Sequence, residues 1–99
     1  MVKKIKAKKI FCVVAYDIES DKIRLNVSKL LEKYGVRINY SVFECLFTDK
    51  QLKVTEEKIR LLIHSAKDSV VFYRICVDCY TKTIYCPQRK IVFRKVEII

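Results

Sequence analysis

The hydrophobic patterning of the chain predicts an α+β fold, in which two amphipathic helices lie on one face of a mainly antiparallel four-stranded sheet. Three observations carry that prediction. Ile10 to Asp17, IFCVVAYD, is a β-branched and aromatic run that stops on a carboxylate, as a strand buried on both faces does. Ile23, Val27, Leu30, Leu31 and Tyr34 recur at helical spacing behind a cap at Ser20 or Asp21. Thr48-Asp49-Lys50-Gln51 matches the Thr-x-x-Gln capping box that opens a helix.

In chain order, residues 1–9 form a basic arm with Lys3, Lys4, Lys6, Lys8 and Lys9 positioned to touch phosphates and little to pack it. The central strand follows, then the first helix, with Gly35 placed for a left-handed C-terminal cap. Val36 to Phe47, VRINYSVFECLF, has no helical stripe and reads as two short strands with a bend near Asn39 to Ser41. Behind the capping box, Leu52, Thr55, Ile59, Leu62, Ile63 and Ala66 form the apolar stripe of a second helix reaching about Ala66. Ser69 to Ile75, SVVFYRI, is strand material. After the Cys76-Val77-Asp78-Cys79 segment come a short strand from Thr83 to Cys86, a break at Pro87 and a last strand from Ile91 to Ile98. The order β-α-β-β-α-β plus an extension is the ferredoxin-like arrangement. Residues 88–99 are too apolar for solvent and find no place in such a sheet, so they are expected to pair with the sheet edge of a second subunit in a symmetric dimer.

The 99 residues make one domain without repeats or linkers. Lys and Arg number 21 against 11 Asp and Glu, a net charge of +10 that favours a polyanionic partner, RNA or DNA first. A basic or thermophilic proteome would also leave such a composition. No basic amphipathic helix or apolar anchor points to a membrane. The odd set Cys12, Cys45, Cys76, Cys79 and Cys86 argues for a reducing compartment, and no long apolar segment with a cleavage site follows the lysine arm. A cytoplasmic location is expected.

Asp17 is the first candidate for chemistry, because it ends the central strand amid Glu19, Ser20 and Asp21. Magnesium takes oxygen ligands and keeps several waters, so one or two carboxylates and a substrate phosphate suffice. One chain offers a single well-placed carboxylate; two chains meeting near the strand ends offer two. Without a metal, Asp17 would simply cap the loop before the helix. Cys76 and Cys79 have the spacing of half a zinc site, with Cys86 a third ligand and His64 a distant fourth, but reduced thiols in a strand and turn are the favoured reading. A redox pair would need to stand at a helix start, and nothing downstream reads as a helix. Tyr16, Tyr40, Phe43 and Phe47 have faces on which bases can stack, although strand aromatics more often pack in cores.

VVAYDI, a basic helix ending in LLEKYG, and VRINYSVFEC together resemble the small CRISPR-associated endoribonuclease family, the second of the two proteins common to spacer acquisition. The resemblance runs from about residue 10 to 79 and includes the Cys-x-x-Cys. It implies a ferredoxin-like two-fold homodimer whose C-terminal strand crosses to the partner, working with the CRISPR integrase. It assigns divalent metal, Mg2+ or Mn2+, to Asp17, with Tyr16, Arg24, Arg37, Ser41 and Phe43 on family positions linked to nuclease activity. Asn26 stands where some members carry a second helix arginine, and Asn39 replaces a usual glutamine; both bear on the strength of RNA cleavage rather than on the fold. The expected function is spacer acquisition by a nucleic-acid-binding homodimer with magnesium-dependent cleavage of single-stranded RNA or DNA. The alternatives are a non-catalytic scaffold bridging integrase subunits and protospacer DNA, and an unrelated ferredoxin-like RNA-binding module.

Overall fold

A computed structural model describes residues 8–87. Strand β1 (Ile10–Asp17) leads to α1 (Asp21–Glu32), β2 (Gly35–Asn39), β3 (Val42–Phe47), α2 (Asp49–Leu62), β4 (Ser69–Ile75) and α3 (Val77–Thr81). The sheet order is β2-β3-β1-β4 with every neighbouring pair antiparallel, so β1 is central and α1 crosses over β3 to reach β2. This is the ferredoxin-like topology.

Local signals explain the helix starts. The Ser20 hydroxyl accepts the Ile23 N–H at 3.2 Å and caps α1. At α2 the box closes in both directions: Thr48 Oγ1 accepts from Gln51 N–H at 3.1 Å, and Gln51 Oε1 accepts from Thr48 N–H at 2.9 Å. Such a cap stabilises a helix by about 1 kcal/mol.

Strand alternation then sorts the side chains. Cys12, Val14 and Tyr16 of β1 join Phe43, Cys45 and Phe47 of β3 under the helices, against Val27 and Leu31 of α1 and Ile59 of α2. The odd positions of β1 face the other way. There Val13 pairs with Tyr73 and Ala15 with Val71, and Val71 and Tyr73 are 42% and 54% exposed. At the opposite end of this face, Tyr80 of α3 stacks on Phe11 with ring centroids 4.1 Å apart, and the Tyr85 hydroxyl lies 2.8 Å from both carboxylate oxygens of Glu44.

Three expectations are corrected. Gly35 is not a left-handed cap: Lys33 ends α1, and Gly35 opens β2 without a positive φ. Glycine is needed there for close approach, since a Cβ would lie 2.7 Å from both Cα and Sγ of Cys45 and nearer still to the Glu44 carbonyl. Helix α2 stops at Leu62, short of Ala66, because Asp68 bonds the backbone of the turn that follows. Cys76 to Cys79 begins a short helix, and Thr83 to Cys86 is not a strand, because Cys76 caps α3 and the chain leaves it irregular. The arm up to Ala7 and the dimerisation strand of residues 88–99 lie outside the described residues. No described helix is long and apolar enough to cross a membrane.

Candidate functional site

The carboxyl end of β1 opens into a cleft of about 640 Å³ between the start of α1 and the β2–β3 hairpin. Tyr16, Asp17, Arg24, Arg37, Tyr40 and Ser41 all line it. Five of the six candidate residues therefore meet, although they come from three separate elements.

Several are positioned by a contact of their own. The Tyr16 N–H donates to the Ser41 carbonyl at 3.0 Å, which joins the hairpin tip to the end of β1. The Tyr16 ring is buried, its hydroxyl lies a long 3.5 Å from the Tyr40 carbonyl, and burial raises its pKa against the opposing pull of Arg37 and Arg24. Tyr40 itself is 88% exposed on the rim. Alternation turns Asp17 away from the core, and no hydrogen bond or ion pair among the described residues engages its carboxylate. Arg24 Nη1 donates to the Ile18 carbonyl at 2.8 Å and Nη2 to the Asp21 carboxylate, so this arginine braces the turn between β1 and α1. Arg37 sits 5.6 Å from the ring centroid of Phe43. Phe43 is fully buried and does not line the cleft; it reaches the site as the platform under that guanidinium and through the Tyr16 ring, whose centroid lies 6.3 Å from its own.

The Asp68 carboxylate is a residue sequence reasoning missed. It accepts the Glu19 N–H at 3.2 Å and the His64 N–H at 2.9 Å, which ties the loop behind Asp17 to the turn before β4. Those bonds, that to His64 foremost, hold its pKa below the ordinary carboxylate value. The only signal in the sequence was an aspartate directly ahead of SVVFYRI.

Among the described residues no group of three or more His, Cys, Asp or Glu side chains gathers for a metal. The cleft fits a hard divalent cation in a minimal way: Asp17 is the available carboxylate, while Asp21 is taken by Arg24. Cys76, Cys79, Cys86 and His64 do not assemble into a zinc site.

The family described as CRISPR associated protein Cas2 matches residues 10–83. A relative from Chloroflexus aurantiacus, named CRISPR-associated endoribonuclease Cas2 3, is 39% identical over 67 residues, covering 68% of this chain and 72% of its own length. The crystal structure of Streptococcus pyogenes Cas2 at pH 6.5 superposes with a TM-score of 0.69 at 26% identity, covering 76% of this chain and 96% of that one. A chain from a partial Cas6-RT-Cas1–Cas2 complex superposes with a TM-score of 0.67 at 30% identity, covering 79% and 91%. With the family's span running from β1 through α3 and the shared fold beneath it, this chain belongs to the Cas2 family of CRISPR-associated proteins.

Proposed function

We propose that this chain is a homodimeric nucleic-acid-binding protein of CRISPR spacer acquisition that works beside an integrase subunit and hydrolyses phosphodiester bonds in single-stranded RNA or DNA, with Mg2+ or Mn2+ at Asp17. The observation that carries the reading is the convergence of the exposed Asp17 carboxylate with Arg24, Arg37, Tyr40 and Ser41 in one cleft of a protein with net charge +10. Asp17 shares its face of β1 with Val13 and Ala15, so a second copy on the open sheet face brings a second Asp17 toward the first. Bound metal supplies charge neutralisation and a more acidic water. The chain's residues do the rest. Arg37 presents a guanidinium to the phosphate from its Phe43 platform, Tyr40 offers a stacking face to a base, and Tyr16 with Ser41 holds the hairpin tip against β1.

A scaffold that only binds nucleic acid is the second reading, and the engagement of Arg24 by Ile18 and Asp21 favours it, since that cation is occupied. Membership of the family removes the unrelated RNA-binding module. Asp17→Asn separates the two, because it keeps size and hydrogen bonding but removes the charge a hard cation requires. Cleavage of labelled single-stranded RNA and DNA across a magnesium series should fall by about a hundredfold or more in the variant, with dimerisation and duplex binding retained. Equal cleavage by both proteins would leave the scaffold reading; loss of the dimer with the activity would make Asp17 structural.

A further inference from the structure

Cys76 and Cys79 are exposed and stand apart from the Asp17 cleft, at the first turn of α3. Cys76 is the cap that precedes α3 and Cys79 the third residue of the helix. The Cys79 N–H donates to Cys76 Sγ at 3.3 Å. Asp78 between them is occupied by Lys82, whose Nζ lies 3.2 Å from its carboxylate.

The two buried thiols differ in kind. Cys12 and Cys45 face one another across β1 and β3 but are buried, and burial raises them to about 11 and about 12, which leaves them protonated and out of reach of solutes. In the exposed pair the backbone N–H and the side chain of Cys79 lower the pKa of Cys76, and the Cys76 side chain raises that of Cys79. An attacking thiol and a resolving thiol are thus distinguished by their environment.

We propose that Cys76 and Cys79 form a redox-active dithiol, oxidised to an intramolecular disulfide by low-molecular-weight disulfides and returned by dithiol reductants. Cys76 Sγ, as the thiolate, attacks one sulfur of the small disulfide; its S–S bond breaks, a mixed disulfide forms on Cys76, and one small thiolate leaves and takes up a proton. Cys79 then loses its proton, attacks Cys76 Sγ and expels the second small thiolate, which is protonated in turn. The protein gives up two electrons and two protons, and the oxidant becomes two thiols. The sequence alone argued against such a role because no helix followed the pair; α3 supplies that helix, with Cys76 as its cap and Cys79 in its first turn.

The test is incubation of the reduced full-length chain with glutathione disulfide at neutral pH, followed by mass spectrometry of intact and digested protein. The expected product has lost two hydrogens, carries its bridge on the Cys76–Cys79 peptide and reverts with dithiothreitol. Cys79→Ser should accumulate one glutathione on Cys76, and Cys76→Ser should react about tenfold more slowly than wild type. A wild-type chain that stops at a glutathione adduct, a bridge mapped to Cys86, or zinc retained on these thiols by the purified protein would overturn the proposal. So would an unchanged rate of bridge formation in denaturant, which would show that the fold contributes nothing.

Discussion

Asp68 accepts the Glu19 backbone N–H at 3.2 Å across 49 positions of sequence. This one bond joins the loop that follows Asp17 to the turn that follows α2, and the adjacent bond from His64 N–H at 2.9 Å closes that turn. A carboxylate bonded in this way stabilises the fold more when it is charged than when it is protonated.

The consequence is a pH-dependent stability. Asp68 is held below its ordinary pKa in the folded chain, so its contribution is present above the unfolded value of about 3.9 and is lost as pH falls through the folded one. Asp68→Asn should lower the denaturant midpoint at a pH of about 7, with the difference from wild type shrinking by a pH of about 3. A difference of equal size at both pH values would show that geometry, not charge, holds the loop.

Thr55 is 1% exposed on the core side of α2, and its hydroxyl finds no hydrogen-bond partner among the described residues. Valine has the same shape without the polar atom. Thr55→Val should stabilise the protein by about 1 kcal/mol in chemical denaturation, since an unpaired buried hydroxyl carries its full desolvation penalty. Loss of stability would show that the hydroxyl is bonded in solution.

Arg37 and Arg24 line the same cleft and should behave differently. Arg37 is exposed and rests on an aromatic face, so Arg37→Ala should weaken duplex binding and reduce the slope of log affinity against log salt by about 1. Arg24 is bonded to Ile18 and Asp21, so Arg24→Ala should loosen the turn beside Asp17 and leave that slope nearly unchanged. Equal slopes for wild type and Arg37→Ala would remove Arg37 from the phosphate-binding surface.

The sequence by itself determined the elements whose signals are short-range. The limits of β1, the caps at Ser20 and Thr48, the hairpin bend before Val42 and the limits of β4 depend on residues within a few positions of each other, where backbone preference and capping decide. It also singled out Tyr16, Asp17, Arg24, Arg37 and Ser41, partly through the family pattern they compose. Tertiary structure decided what depends on distant partners. Gly35 looked like a helix cap because its preceding residues are helical, but the close approach of β3, ten residues on, determines its role. The role of Asp68 needed a backbone N–H 49 positions away, and the burial of Phe43 needed both helices. Helix α3 was invisible because five residues are too few for an apolar period, and its stack on Phe11 brings together positions far apart in the chain. A pattern within one turn can be read along the chain, whereas a contact between distant segments exists only once the sheet has set their register.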